Sequence, residues 1–141
     1  MRILTRPEIE SIKDFHQTMA FHDRLLHSHL LAPLSAKEDV ALVFENHVKV
    51  TPLHNAGPCH WELRDANCEP FPFVSLKDLV GCPVTQLGYI YDPSVEHPAI
   101  PYLQFLNCIY VCCFSPTGGA ELRHDRPRED AWDVFPQLPC V

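Results

Sequence analysis

Four side chains of the types that bind transition metals lie close together before the middle of the chain. They are His54, Cys59, His60 and Cys68. Imidazole nitrogen and thiolate sulfur suit tetrahedral Zn²⁺, so this set predicts a zinc site. Its spacing matches no established finger pattern, and ligation of one ion by the adjacent Cys59 and His60 is awkward. A polar loop with incidental thiols is therefore the alternative interpretation.

A second group of acid–base side chains lies near the C-terminal end. It comprises His124, Asp125, Arg126, Arg128, Glu129 and Asp130. A loop of this composition can bind Mg²⁺ through carboxylates or phosphate through arginines. Alternating charge is also typical of a solvated surface that neutralises itself. We interpret this segment as an acidic loop and predict ligand-binding roles for His124, Asp125, Arg126 and Arg128.

Length and composition predict one compact domain spanning residues 1–141. The chain has 141 residues, of which 46% are hydrophobic, and its composition does not change abruptly along its length. The formal net charge of -7 disfavours binding to nucleic acid or to anionic membranes through bulk charge. Between Asp78 and Glu121 the only formal charges are Asp92 and Glu96, so this stretch is expected to form the buried centre.

The sequence predicts a cytoplasmic or nuclear protein with reduced cysteines. No stretch approaches the roughly 20 apolar residues that a membrane-spanning helix needs. Charged residues, beginning with Arg2 and Arg6, occupy the N-terminal region where a signal peptide would be apolar. The seven cysteines are odd in number, and several lie in apolar surroundings that suit buried thiols better than disulfides.

Residues 1–34 carry the pattern of an N-terminal amphipathic helix. The sequence from Thr5 to Glu8 has the form of a capping box with proline in the first turn. Apolar residues then recur at intervals of three and four from Ile9 to Leu30, which predicts a helix that ends near Pro33.

The remainder predicts a β-rich domain with one short helix, so the expected fold class is α/β, in the α+β sense. The predicted strands are Val40–Phe44 and Val48–Val50, joined by a tight turn at Asn46, then His60–Leu63, Val84–Tyr91, Tyr102–Phe114, Ala120–Arg123 and Ala131–Phe135. A short helix is predicted over Phe73–Leu79, closed by Gly81. Ala120–Arg123 is expected to pair back onto the preceding strand across Gly118-Gly119.

Residues 40–139 resemble a Nudix domain. Trp61-Glu62-Leu63 resembles the entry to that family's signature, and Glu129-Asp130-Ala131-Trp132 followed by Gln137-Leu138-Pro139 resembles its C-terminal part. The resemblance implies a mixed-sheet α/β sandwich. It also implies that Trp61 and Glu62 contact the ligand.

The catalytic helix of the Nudix family is the part that this sequence matches least. The family uses clustered carboxylates on one helical face to hold Mg²⁺ against a diphosphate. The corresponding stretch Phe73–Gly81 offers one acid, Asp78, and Arg64-Asp65-Ala66 replaces the expected glycine pair. What the resemblance leaves is Glu69 and Asp78 as metal ligands for Mg²⁺ or Mn²⁺, with Glu129 as a further catalytic acid.

Three functions follow as expectations. The first is a degenerate Nudix-like domain that recognises a nucleotide or a protein partner, with Trp61, Phe71 and Phe73 as candidate exposed anchors. The second is a divergent hydrolase that cleaves a nucleoside diphosphate linked to another moiety and rebuilds its metal site from the remaining acids. The third is a structural subunit of a larger assembly.

Overall fold

The computed structural model describes residues 1–5, 7–8, 25–36, 39–45, 48–53, 59–95, 99–114, 121–126 and 129–135. For residues 34–36, 39, 52–53, 99, 121–126 and 129–135 it describes the course of the backbone. The strands are β1 (Arg2–Ile3), β2 (Leu30–Ala36), β3 (Asp39–Phe44), β4 (Lys49–Leu53), β5 (His60–Arg64), β6 (Val84–Tyr91), β7 (Ala99–Phe105), β8 (Ile109–Phe114), β9 (Glu121–Arg126) and β10 (Glu129–Phe135). A short 3₁₀ helix, η1, spans Leu76–Leu79.

The strands form two sheets of five strands each. Sheet A has the order β1-β6-β7-β8-β5, and sheet B has the order β10-β9-β4-β3-β2. Every strand pair in the described part of the chain is antiparallel. The domain is therefore mainly antiparallel β with almost no described helix, and the predicted mixed-sheet Nudix-like α/β sandwich is not supported.

One hydrophobic core lies between the two sheets. Sheet B contributes Leu42, Phe44 and Val50, and sheet A contributes Leu103 and Phe105, all fully buried. The rings of Phe44 and Phe105 stack across the gap with their centroids 6.3 Å apart. Each such side chain contributes roughly 1.5–3 kcal/mol through removal from water, so this layer is the main stabilising contact between the sheets.

The second face of sheet A is also buried, which is unusual for an antiparallel sheet. Its buried residues, here called the outer-face cluster, are Cys68, Ile90, Ile100, Tyr102, Tyr110 and Cys112. Along β7 and β8 the side chains alternate between this cluster and the inner core, as the period of two requires. The expectation that the charge-poor middle of the sequence forms the buried centre is confirmed for β6, β7 and β8.

Residues 70–82, here called the closing segment, connect β5 to β6 and lie beside β2. The segment contains η1, which contacts β2, and Leu79 of η1 is buried in the inner core. The amide of Phe71 donates to the carbonyl of Leu63 at 2.9 Å, and that of Gly81 to the carbonyl of Leu30 at 2.7 Å. The segment is thus hydrogen-bonded to a strand of each sheet.

Prolines within strands lie where the strand has one partner strand. Pro33 is on β2, the edge strand of sheet B, and pairs with Leu42. Pro101 pairs with Tyr89 on β6, beyond the last β7–β8 pair, Tyr102 with Cys112. Proline has no backbone N–H to donate, so it is tolerated where no second ladder needs one.

The described residues do not support the predicted N-terminal helix as a whole. Pro7 and Glu8 are helical, and the amide and hydroxyl of Thr5 donate to the Glu8 carboxylate at 3.1 and 2.9 Å, as the capping box predicts. Residues 9–24 lie outside the described residues. The helix does not reach Pro33, because Leu30 already belongs to β2 and pairs with Phe44. Tertiary pairing there overrides the helical spacing of the leucines.

The predicted strand Tyr102–Phe114 is wrong in its extent, because the chain turns back on itself in the middle. Leu106 and Asn107 have φ of 55° and 59°, and the amide of Cys108 donates to the carbonyl of Phe105 at 3.2 Å. The result is a hairpin of β7 and β8 without glycine in its turn. The short helix is also smaller than predicted, since only Leu76–Leu79 is helical, although Gly81 has the expected positive φ of 88°.

Other strand predictions are confirmed with small changes of boundary. β3 and β4 form the predicted hairpin, β5 and β6 match their predicted ranges closely, and β10 is present. Asn46 and Gly118-Gly119 lie outside the described residues. The expected partner of the strand near Ala120 is wrong, because β9 pairs with β4 and β10 rather than with β8.

No helix in the described part of the chain is long and apolar enough to cross a membrane.

Replacement of Gly88 by alanine is expected to destabilise the domain. A Cβ at this position would lie 2.7 Å from the hydroxyl oxygen of Tyr102 and 2.9 Å from its Cζ. Such overpacking costs about 1–3 kcal/mol in the free energy of unfolding, which a urea titration would measure. The double variant Gly88→Ala/Tyr102→Phe should recover part of this loss, because the closest atom is removed. Equal stability of Gly88→Ala and the parent would contradict the packing described here.

Candidate functional site

Edge strand β5 carries a row of polar side chains on the outer face of sheet A. His60, Glu62 and Arg64 alternate with Trp61 and Leu63, which pack against the inner core. Glu62 links the row, because one carboxylate oxygen is 2.8 Å from Nε2 of His60 and the other accepts from Nη2 of Arg64 at 2.7 Å. The strand geometry places these three side chains together because they are two residues apart.

Arg64 is the most enclosed of these three residues, with its side chain 16% exposed. Its Nη1 donates to the carbonyl of Cys68 at 2.9 Å, and its Cζ lies 4.9 Å from the centre of the Phe114 ring. The Nε of Arg64 is buried and has no hydrogen-bond partner. A buried donor without an acceptor is costly, so this atom marks a place where an acceptor would be favoured.

The carboxyl of Glu62 has a lowered pKa. Partial burial is the largest influence and acts to raise it, but hydrogen bonds from Arg64 and His60, with their charges, lower the pKa below its ordinary 4.5. Glu62 is therefore ionised at neutral pH and acts as a fixed acceptor for both neighbours. A general acid role at neutral pH is not suited to such a group.

Two thiols and two phenols lie beside this row in the outer-face cluster. The Tyr102 and Tyr110 rings meet edge to face with centroids 4.9 Å apart, and Cys112 donates its thiol to the carbonyl of Tyr110 at 3.5 Å. Burial is the main cause that raises the pKa of Cys68, Tyr102, Tyr110 and Cys112. The thiols are thus protonated at neutral pH and are poor nucleophiles in this state.

Tyr102 is fully buried, and its hydroxyl has no hydrogen-bond partner. The ring lies across Gly88 on the neighbouring strand, where the absence of a side chain makes room for it. Among the described residues, two buried side-chain polar atoms have no hydrogen-bond partner: this hydroxyl and Nε of Arg64. Both residues belong to the outer face of sheet A.

The two predicted magnesium ligands, Glu69 and Asp78, have separate local surroundings. Glu69 is exposed in the turn after β5, where its carbonyl accepts from the amide of Asp65 at 2.9 Å. The carboxylate of Asp78 caps η1, because it accepts from the Ser75 amide at 2.7 Å and from the Ser75 hydroxyl at 3.2 Å. The role that the structure gives Asp78 is therefore local capping. Metal binding by either residue stays a prediction.

The predicted acidic loop near the C-terminal end is a strand pair in the structure. His124, Asp125 and Arg126 lie on β9, opposite Val50 and Lys49 of β4 and the start of β10. Glu129 begins β10, and its Cα pairs with that of Arg126. Arg128 lies outside the described residues.

Glu129 is far in the strand order from the other predicted acids. β10 is at one edge of sheet B, whereas η1, which carries Asp78, contacts β2 at the opposite edge. Four strand spacings of about 4.8 Å separate the two edges, or roughly 19 Å. The strand order thus gives no reason for Glu129 to share a metal ion with Asp78.

The four predicted zinc ligands are not assembled in the described part of the molecule. Cys59 is buried in the inner core, Cys68 is buried in the outer-face cluster, and His60 is exposed beside Glu62. His54 lies outside the described residues. Among those that are described, no group of three or more His, Cys, Asp or Glu side chains is placed to hold a metal ion.

Of the three aromatic residues expected as exposed anchors, one is exposed. Trp61 is half-buried, and its indole N–H donates to the carbonyl of Val40 on β3 at 2.7 Å, which ties the two sheets together. Phe71 packs against the inner core. Phe73 is 80% exposed, and its ring meets that of Phe71 edge to face at 5.1 Å.

Two further exposed apolar side chains belong to β2 and to the closing segment. Leu31 of β2 is 48% exposed, and Val80 of the closing segment is 46% exposed. Leu30 accepts a hydrogen bond from Gly81, so their neighbours Leu31 and Val80 lie on adjoining stretches of backbone. We call Leu31, Phe73 and Val80 the closing surface.

No family model, curated protein or solved structure matches this chain. The resemblance to the Nudix family therefore depends on sequence features alone. The two candidate regions, the outer face of sheet A and the closing surface, are interpreted from their own geometry.

Sequence reasoning overlooked the polar row on β5, although a signal for it was present. His60, Glu62 and Arg64 occur at alternating positions of a predicted strand, with the apolar Trp61 and Leu63 between them. A period of two places such residues on one face. The neighbours Cys68 and Phe114 could not be found in this way, because they come from elsewhere in the chain.

Acidification is expected to weaken the domain through Glu62. When the pKa of a carboxyl is lower in the folded state than in the unfolded state, its ionised form stabilises the fold at pH values above the unfolded pKa. This stabilisation is lost as the pH falls through the folded-state pKa. The free energy of unfolding should therefore decline below about pH 4.5, the ordinary value for this group. In Glu62→Gln this decline should be shallower, as measured by urea titrations from pH 7 to 3. Glu69→Gln, at an exposed turn, is the control and should keep the parental slope; an unchanged slope in Glu62→Gln would contradict the role of Glu62.

Proposed function

We propose that this chain is a recognition module that binds a protein partner through the closing surface. The observation that carries the proposal is the position of Phe73. The ring of Phe73 is 80% exposed, so most of its apolar surface is in water and is not stabilised by burial in the core of the domain. Exposed aromatic residues of this kind anchor protein interfaces.

Phe73 is held in place before any partner arrives. Pro70 and Pro72 restrict the backbone on its N-terminal side, and the Phe71 ring supports it from the inner core. Pro70 also forms a β-bridge with Arg64. An anchor that is already ordered loses little conformational entropy on binding, which favours affinity.

The surroundings of Phe73 resemble an interface in composition. Leu31 and Val80 are the further exposed apolar side chains of β2 and the closing segment, and the exposed Lys77 and Asp78 are polar groups on the same segment as Phe73. An apolar centre with a polar rim is the usual arrangement of specific protein interfaces. Burial of the Phe73 ring alone would contribute roughly 1.5–3 kcal/mol.

A protein partner is favoured over a nucleotide on this surface. Among the described residues, no group of three or more His, Cys, Asp or Glu side chains is placed to hold Mg²⁺ against a phosphate, and the net charge of -7 repels polyphosphates. No described observation favours hydrolysis of a nucleoside diphosphate derivative. A nucleotide that bound with high affinity and protected Phe73 from solvent would therefore replace the present proposal.

The partner can be identified by placing a photo-activatable phenylalanine analogue at position 73. Irradiation in a native extract and mass spectrometry should yield a covalent adduct with one predominant protein. The same analogue at position 106 is the matched control, because Leu106 is 51% exposed but lies in the β7–β8 turn. The adduct protein is then purified for binding measurements. Identical adducts from both positions would indicate random collision and argue against the proposal.

Phe73→Ala is expected to weaken binding of that partner without loss of stability. The affinity should fall by about tenfold or more, which corresponds to roughly 1.4 kcal/mol or more for an anchor residue. The free energy of unfolding should stay within about 0.5 kcal/mol of the parent, because the ring is mostly in water. Leu106→Ala should change neither quantity. Calorimetric titration and urea denaturation of the three proteins measure both; equal affinity in Phe73→Ala would sink the assignment.

A further inference from the structure

The outer-face cluster contains two cysteines, Cys68 and Cys112, for which the recognition function has no use. They come from different parts of the chain, one from the turn after β5 and one from β8, and they are buried in the same cluster. None of the six described cysteines is in a disulfide. Cys113, the neighbour of Cys112, points to the inner core instead. Because side chains alternate along β8, Cys112 faces the outer side of sheet A and Cys113 faces the inner core.

Cys68 occupies a backbone conformation that cysteine does not favour. Its φ is 62°, in the left-handed region where glycine and asparagine are the usual residues. The turn is fixed by the Asp65 carboxylate, which accepts from the amides of Asn67 and Glu69 at 2.8 and 3.1 Å, and by the Cys68 amide, which donates to the Asp65 carbonyl at 3.0 Å. This conformation is strained for cysteine, so the position presents the thiol to the cluster at the expense of stability.

Arg64 gives the cluster a fixed positive charge. Its guanidinium hydrogen-bonds to Glu62 and to the carbonyl of Cys68. Arg64 pairs with Tyr110 of β8, and its guanidinium lies against Phe114, so the side chain extends past Cys112, which lies between these two residues. Its field lowers the pKa of both thiols, although burial is stronger and raises it. The Nε of Arg64 remains a buried donor without an acceptor.

We propose that Cys68 and Cys112 form a two-coordinate binding site for a soft monovalent cation, of which Cu(I) is the type. Thiolate sulfur is the ligand that selects Cu(I), and two thiolates in a line satisfy this ion without further donors. A pair of thiols suits a two-coordinate ion better than Zn²⁺, which takes four ligands. The aromatic rings of Tyr102 and Tyr110 shield the site from water.

The charges of the bound state balance within the cluster. Each thiol releases its proton to solvent and forms one metal–sulfur bond, so a cation of charge +1 and two thiols give a bis-thiolate complex of charge -1 and two protons. Arg64 offsets this charge. Because protons are released, the apparent affinity rises with pH. No change of oxidation state is involved.

The test is a Cu(I) titration of the fully reduced chain, without oxygen, against a coloured Cu(I) chelator. One ion per chain should bind, with two protons released per ion in an unbuffered titration. Cys112→Ala should lower the affinity by more than about 100-fold, because a ligand is lost, and Arg64→Gln by about 10- to 100-fold, as for an outer partner of a metal ligand. Cys113→Ala is the matched control, since both residues are fully buried neighbours on β8 and face opposite sides. It should bind as the parent does.

Equal affinity of Cys112→Ala and the parent would overturn the site, as would equal losses in Cys112→Ala and Cys113→Ala. X-ray absorption of the loaded parent chain gives an answer that does not depend on the folding of any variant. Two sulfur neighbours per copper support the proposal, and three or more sulfur neighbours contradict it. Circular dichroism of each variant before titration separates loss of a ligand from loss of the fold.

Discussion

The fold depends on the need of β6, β7 and β8 to bury both of their faces. These strands carry apolar or aromatic side chains at nearly every position, and Ile90, Ile100, Tyr102, Leu103 and Phe105 are all fully buried. An antiparallel sheet with one covered face would leave half of them in water, at a cost of roughly 1.5–3 kcal/mol for each. Sheet B covers the inner face. The outer face encloses Cys68 and most of the Arg64 side chain, so polar atoms there that lack a partner, Arg64 Nε and the Tyr102 hydroxyl, carry a desolvation cost.

That constraint explains why the strands could be predicted better than their connections. Short runs rich in β-branched and aromatic residues predicted β3, β5 and β6, because that signal is local. The hairpin of β7 and β8 was missed because its turn uses Leu106 and Asn107, neither of them glycine, at positive φ. The pairing of β9 with β4 rather than β8 depends on contacts between distant parts of the chain. No local pattern encodes such contacts.

The candidate sites show the same division between local and distant information. Residue types and spacing predicted Cys59, His60 and Cys68 as zinc ligands. Alternation along the strand instead places the side chains of Cys59 and His60 on opposite faces of sheet A. The row of His60, Glu62 and Arg64 follows from the same alternation. The meeting of Cys68 with Cys112 does not, because it requires the turn after β5 to fold over β8. Proximity in sequence is thus a poor guide to a shared site in a sheet.

The turn after β5 connects the two regions to which we assign functions. Arg64 holds the carbonyl of Cys68, Pro70 bridges back to Arg64, and Phe71 donates to Leu63 before the chain reaches Phe73. The position of the exposed ring therefore depends on the hydrogen bonds that place the buried thiol. An ion held by Cys68 would restrict the start of the same short stretch whose end carries the anchor.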